Sequence, residues 1–422
     1  MRHYAILFLL LLAGRAEAQK IQKLIREADV ARVLATLSHD SMEGRKPQTA
    51  GIRKAADFLA AAFRKAGLQP LEGMHGSFLQ SFTVNQFQPD SQRVVFNGAE
   101  MPRESVICFP AAELVRWENQ GADIVQIGPG EKAAEKLIGL LRGGKPAVVV
   151  VDTSHRAALT RFRNFRPNRL EGAATVVAVL TSEPLRDYRV SLLSKKNALP
   201  YANVAGMIPG WRSDEVVVFS AHYDHLGIGK PKNQDSIYNG ANDDASGTTA
   251  VVMLARYFQQ QRKPERTLVF VAFTAEESGG YGSQYFSRQL DPDKVVAMFN
   301  IEMIGTDSKW GKNSAFITGF EKSDFGTMLQ ENLKGSVFRF EPDPYPTQQL
   351  FYRSDNATLA RLGVPAHTIS TSKMDAEPYY HTVDDEVETL DTKNMTEIIK
   401  AIAISSKGIV SGKQTPRRVT GE

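Results

Sequence analysis

Between residues 204 and 381, apolar strand-like runs repeatedly end on an acid or an imidazole. Three of them read Val217-Val-Phe-Ser-Ala-His222-Tyr-Asp224, Val269-Phe-Val-Ala-Phe-Thr-Ala-Glu276-Glu277 and Phe299-Asn-Ile-Glu302-Met. Two further segments, Gly240-Ala-Asn-Asp243-Asp244-Ala-Ser-Gly247 and Tyr380-His381-Thr-Val-Asp384, supply the same residue types. A carboxylate placed where a buried strand emerges is costly unless a cation compensates it. Two imidazoles (His222, His381) and three carboxylates (Asp243, Glu277, Glu302) suit zinc, the borderline ion that accepts both ligand types. Such a set is raw material for a two-metal hydrolytic centre.

The surrounding pattern fixes the fold class. From Val204 onward, apolar runs at 216–221, 267–273, 295–301 and 364–370 alternate with helical periodicity. Ala245 to Gln261 reads as a helix whose inner face carries Val251, Leu254, Ala255 and Phe258. This predicts an α/β fold with a mixed, largely parallel central sheet flanked by helices. Ligands of such sheets gather beyond the carboxyl ends of the strands, where His222, Glu276, Glu277 and Glu302 fall.

Upstream, residues 25–37 and 49–66 read as amphipathic helices, the second closed by Gly67 and stopped by Pro70. Residues 82–200 change in character: short β-rich runs at 93–97, 122–127 and 147–152, a helix from Lys132 to Leu141, and an arginine-rich, loop-like stretch from Thr160 to Arg169. They carry no metal-ligand constellation and predict an inserted, β-rich domain. The expected organisation is a signal peptide over 1–18, an N-terminal helical part of the main domain over 19–81, the insert over 82–200 and the rest of the main domain over 201–422.

The signal reading rests on the basic start Met1-Arg-His-Tyr, the apolar run from Ala5 to Ala13 and the Ala16-Glu-Ala18 ending. It implies a secreted or periplasmic protein. The apolar run is too short to span a bilayer comfortably and no later segment is longer, so no membrane insertion is expected. Cys108 is the only cysteine, which rules out an intramolecular disulfide and reads as a buried small hydrophobe. A formal charge of +4, without an aromatic–basic interleave, gives no nucleic-acid surface. Nothing in the pattern specifies an oligomeric state.

Each candidate taken alone has a plainer explanation. His222 and Asp224 could be a surface histidine beside an acid, Asp243 or Asp244 a helix N-cap, and Glu276-Glu277 a solvated strand end. His381 alone reads as a loop histidine, and His225, three residues after His222, is its main rival. Glu302 resists such an account, because an isolated acid inside so apolar a run has no structural use. The set taken jointly is far more specific than its parts. Consecutive acids at 276–277 can divide labour, one binding metal and the other free to take a proton from water.

In their order, His222-Tyr-Asp224, Gly240 to Gly247, Glu276-Glu277-Ser-Gly279, Asn300-Ile-Glu302 and Tyr380-His381-Thr-Val-Asp384 resemble the motifs of the M28 zinc peptidases, mostly aminopeptidases with two co-catalytic zinc ions. The resemblance covers about 204–407 and extends to Met42-Glu-Gly-Arg45 and residues 55–70. The insert lies where some members carry a protease-associated domain. The resemblance implies a zinc exopeptidase fold and two Zn2+ ions bridged by Asp243, one held by His222 and Glu302, the other by Glu277 and His381. It implies Glu276 as general base, Asp224 as the group orienting His222, a cis peptide between Asp243 and Asp244, and a peptide substrate with a free N-terminus. Glu302 departs from the aspartate common in the family, and Tyr352 or Arg353 falls where an oxyanion stabiliser is expected. Glutaminyl cyclisation with one zinc, carboxypeptidase-like or other amidohydrolase action, and a non-catalytic binding module are the alternatives on this fold. Relatives of the last kind have typically lost ligands, whereas all five positions here are filled.

Overall fold

The computed structural model describes residues 20–420, so the expected signal peptide lies outside the described residues. The chain forms two compact units: unit 1 comprises residues up to Ser81 and from Tyr201 onward, and unit 2 comprises Phe82–Pro200.

Unit 1 is built on strands β1 (Tyr188–Ile208, of which the last residues belong here), β2 (Arg212–His222), β3 (Arg266–Phe273), β4 (Val295–Ile301), β5 (Ser314–Ile317), β6 (Arg339–Pro342) and β7 (Ala366–Ser370). Their order is β6-β5-β7-β4-β2-β3-β1. The central pairs β3/β2, β2/β4 and β4/β7 are parallel, as is β5/β6, while β1/β3 and β5/β7 are antiparallel. The sheet is therefore mixed and largely parallel, as the alternation of apolar runs and helices requires.

Those runs are continuous because both faces of the sheet are covered. Val217, Phe219 and Ala221 of β2 point into one core, with Leu268, Phe270 and Ala272 of β3, while Val218, Val269 and Val271 point into the other. Phe219 lies in register with Phe270 and Phe299 and stacks between them, with ring centroids 5.3 and 4.8 Å away. Locking these strands in register makes their carboxyl ends coincide. His222 pairs with Phe273 at that edge, and the residues after Phe273 and Ile301 emerge beside it.

Helices α1 (Glu27–Leu37), α2 (Ala50–Ala66), α3 (Gly247–Gln259) and α4 (Thr392–Ser405) include the main cover of the first face. Thr49 caps α2, accepting the Ile52 N–H at 3.4 Å, and Gly67 ends it at φ 86°. The sequence pattern gives α3 one apolar face, yet every residue from Gly247 to Ala255 is buried. The cause is position: α3 packs against β2 and β3 on one side and against α1, α2 and α4 on the other.

Unit 2 contains a four-stranded sheet in the order Val106–Phe109, Val176–Leu180, Ala147–Val151, Asp123–Ile127, whose last two pairings are parallel. The helices Ala133–Arg142 and Arg156–Phe162 pack Leu137 and Leu159 into one of its cores. The second helix takes in Thr160 to Phe162 and a short strand starts at Asn168, so only the part of the arginine-rich stretch between them is a loop. Cys108 is buried in the opposite core. Among the described residues no helix is long and apolar enough to cross a membrane.

Candidate metal centre

Five segments converge at the carboxyl edge of the unit 1 sheet. His222 is the last residue of β2, Glu276 and Glu277 follow β3, and Glu302 follows β4. Asp243 sits in a turn before α3 in which Asp243 and Asp244 leave helical geometry, and the Asp243–Asp244 peptide is cis. His381 arrives on the loop before α4.

The doubled acid divides its tasks. Asp243 faces the site, while Asp244 turns back and ties three segments together. Its carboxylate accepts the backbone N–H of Gly247 at 2.9 Å, Met303 at 3.0 Å and His222 at 3.3 Å. The turn is held from the far side by Asp385, which accepts the N–H of Asn242 at 2.8 Å and of Asp243 at 3.0 Å. Arg45, fully buried, donates to the carbonyls of Leu37 and Tyr223 at 2.8 Å and of Gly240 at 2.9 Å, pinning the loops that carry His222 and Asp243.

Within this frame Asp243 presents its two oxygens to two different imidazoles. Oδ1 lies 3.2 Å from His222 Nε2, and Oδ2 lies 3.2 Å from His381 Nε2. His381 Nε2 is also 3.1 Å from Glu277 Oε1. Glu302 lines the same cavity as Asp243, Glu276 and Glu277. The structure thus brings His222, Asp243, Glu277 and His381 into direct reach and places Glu302 at the same cavity. Three residues in the left-handed region without being glycine border this cluster: Ala275 before Glu276, Met303 after Glu302, and His381 itself, at φ 60°, 51° and 56°. Strain of this kind is concentrated at functional sites.

Asp224 acts differently from the sequence expectation. His222 Nδ1 is 3.2 Å from the Asp224 main-chain carbonyl but 3.9 Å from its carboxylate. A carbonyl only accepts, so Nδ1 carries the ring proton of a neutral His222 and Nε2 is bare. That bare nitrogen faces Asp243 Oδ1 without hydrogen-bond alignment. Two lone pairs held so close repel unless a cation or a proton separates them. The Asp224 carboxylate instead accepts the backbone N–H of Glu276 at 3.1 Å.

The electrostatics ask for the same thing. Burial pushes Asp224 and Glu302 up to about 7 and Asp355 up to about 6, and it raises Glu276 well above the usual carboxylate range, with Glu302 and Asp355 adding repulsion there. Burial disfavours charge on His222, yet the close carboxylate of Asp243, with those of Asp244 and Glu276, draws it well above its normal value. Acids that resist ionisation around imidazoles that attract charge form a donor set short of positive charge. Oxygen and imidazole donors in this proportion fit zinc.

Arg353 and Ser354 line the cavity, whereas Tyr352 packs its ring against Phe351 at 4.7 Å. Sequence reasoning assigned no role to Arg45 or Asp385 and set His225 aside as a rival of His222. His225 Nδ1 lies 3.0 Å from Glu277 Oε1. Its only signal in the sequence was its place three residues after His222.

A mixed, largely parallel sheet whose carboxyl edge gathers imidazoles around a buried carboxylate defines an α/β protein with a metal-type centre. Residues 203–405 match peptidase family M28, and this part of the chain belongs to that family. It is similar to leucine aminopeptidase 1 of Trichophyton equinum, 26% identical over 237 residues, covering 54% of this chain and 63% of that one. A probable leucine aminopeptidase of Trichophyton verrucosum is 30% identical over 214 residues, 48% of this chain and 56% of that one. The chain therefore spans less than two thirds of the length of these relatives. An aminopeptidase from Aneurinibacillus sp. strain AM-1 shares the fold with a TM-score of 0.55 and 17% identity, over 96% of this chain and 97% of that one. BSAP, a zinc aminopeptidase from Bacillus subtilis, does so at 0.54 and 16%, over 93% and 97%.

Proposed function

We propose that this chain is a zinc-dependent exopeptidase, an aminopeptidase that releases N-terminal residues from peptides with two ions at one site. The observation that carries the reading is the placement of Asp243, whose Oδ1 and Oδ2 each stand 3.2 Å from a different imidazole. A carboxylate so placed can bridge two ions about 3.5–4 Å apart. His222 and Glu302 would complete one ion's shell, and Glu277 and His381 the other's. When bound, the ions would supply Lewis acidity to water and to a peptide carbonyl.

The chain's own groups do the rest. Glu276 takes a proton from the water whose oxygen attacks the carbonyl carbon, and passes it to the amine nitrogen as the carbon–nitrogen bond breaks. Burial raises Glu276 in the direction a base acting near neutrality requires. Asp224 is a positioning residue that holds the Glu276 backbone through its carboxylate and His222 through its carbonyl. Phe316, Leu350 and Met374 wall the cavity next to the acids, which suits an apolar N-terminal side chain such as the leucine in the relatives' names. The leader-like residues 1–18 extend the proposal to an exported protein, and the position of unit 2 to a protease-associated-like insert.

Aminoacyl-anilides, free or blocked at the amine, assayed with and without chelator, test the reading. Chelator-sensitive release from the free-amine leucyl substrate alone supports it. Equal release from blocked substrates, or full activity in chelator, overturns it. Cyclisation of N-terminal glutamine with one bound zinc would favour the cyclase alternative.

A further inference from the structure

We propose that His225 is a positioning residue for Glu277, holding that carboxylate on its metal through an Nδ1–H hydrogen bond while its own ring stays off the ion. This rests on the two-ion reading above.

His225 is 1% exposed, and its Nδ1 lies 3.0 Å from Glu277 Oε1 and 3.8 Å from Asp243 Oδ2. Ligand-type atoms of His225, Asp243 and Glu277 all fall within 4.8 Å of one another, so direct ligation by His225 is the competing arrangement. The other ring nitrogen decides between them. His225 Nε2 is buried and has no hydrogen-bond partner among the described residues. A neutral imidazole carries one proton. Ligation through Nδ1 would move that proton to Nε2 and leave a buried N–H donor with nothing to accept it. With the proton on Nδ1, the donor is satisfied by Glu277 and only a bare acceptor stays buried, the less costly outcome.

The ring has no freedom to choose otherwise. Gly240, at φ +55°, packs against it so closely that a Cβ there would stand 2.5 Å from His225 Cγ and Cδ2. The His225 backbone N–H donates to the Arg45 carbonyl at 3.3 Å, and the Arg45 guanidinium holds the Gly240 carbonyl at 2.9 Å. One arginine therefore fixes both the histidine's backbone and the glycine against its ring. Hydrogen-bonded ligands such as Glu277 owe part of their metal affinity to the outer partner, typically about 10–100-fold.

The test compares the full-length chain with H225L, which removes the donor, and H225N, whose amide nitrogen can stand where Nδ1 does. Zinc is withdrawn by competition with a chelator, and the cobalt-substituted proteins are compared by visible absorption. The expected result is that H225L releases one of two ions about 10–100-fold more readily. H225N should restore most of that affinity, and the cobalt bands of all three proteins should coincide at saturation. A cobalt spectrum that changes shape and intensity in both variants makes His225 a ligand and overturns the proposal. So does a two-zinc wild type whose variants hold both ions as tightly. A wild type that holds no zinc overturns this role and the functional reading together. Because H225N keeps a polar group of similar volume, it carries the test if H225L fails to fold.

Discussion

Asp224 accepts the backbone N–H of Glu276 through Oδ1 at 3.1 Å, so the residue two positions after a strand-end histidine steadies an acid just past the end of the neighbouring strand β3. The same residue anchors His222 through its main chain rather than its side chain. D224A should therefore leave His222 anchored and zinc content near normal, while turnover falls about 10–100-fold, the usual effect of losing such a partner. Metal analysis beside steady-state kinetics checks this. A variant that loses zinc in proportion to activity would return Asp224 to the role of orienting His222 through its carboxylate.

Glu276 is half-buried and lines the cavity beside the other acids, outside the proposed ligand set. E276Q keeps its shape and removes its basicity. Turnover should drop about 10²–10⁴-fold. Zinc content and the thermal midpoint should not move. Surviving activity would assign the proton transfer to another group.

His367 gives the fold an acid limit that is independent of the site. It is fully buried, stacks on Phe325 at 4.8 Å, and bonds the Thr318 carbonyl at 2.8 Å and Ser323 Oγ at 2.7 Å. Burial pushes it down to about 4. The unfolded histidine binds its proton near 6.5, so between these values the unfolded state holds more protons and stability rises with pH. The contribution is fully present above about pH 6.5 and is lost as pH falls towards 4, amounting to ~3 kcal/mol. Urea titrations of the wild type and of H367Q between these limits should show a steeper acid loss in the wild type. Parallel curves would contradict it.

Cys108 lies in a core of unit 2 at 5% exposure, and burial pushes its thiol up to about 12. A thiol-disulfide reagent at pH 8 should leave it unmodified in the native chain and modify it fully in denaturant. Rapid labelling of the native protein would show that this core opens.

The sheet was legible because β2, β3 and β4 are buried on both faces, which writes uninterrupted apolar runs, and because parallel register brings their ends to one edge. Glu277 and Glu302 stood out as candidate ligands by the same logic, because each is an acid placed where such a run ends. What the sequence hid were relationships that cross it. Arg45 and Asp385 lie far from the turns they hold, and nothing local marks an arginine whose partners are carbonyls. His225 could not be separated from His222, because only the turn after β2 decides which ring faces Asp243 and which faces Glu277. The burial of α3 on all sides was hidden too, since its outer face is covered by helices that its own periodicity says nothing about. In unit 2, the short helix Arg156–Phe162 is too brief and too charged to write a helical stripe.

The bridging role of Asp243 is the claim on which the rest depends, and zinc stoichiometry tests it most directly. The metal-loaded wild type should hold two zinc ions per chain after removal of loosely bound metal, and D243A, still folded by circular dichroism, should lose its hold on both. A wild type with a single ion, or a D243A protein that keeps either ion with unchanged affinity, would contradict the account.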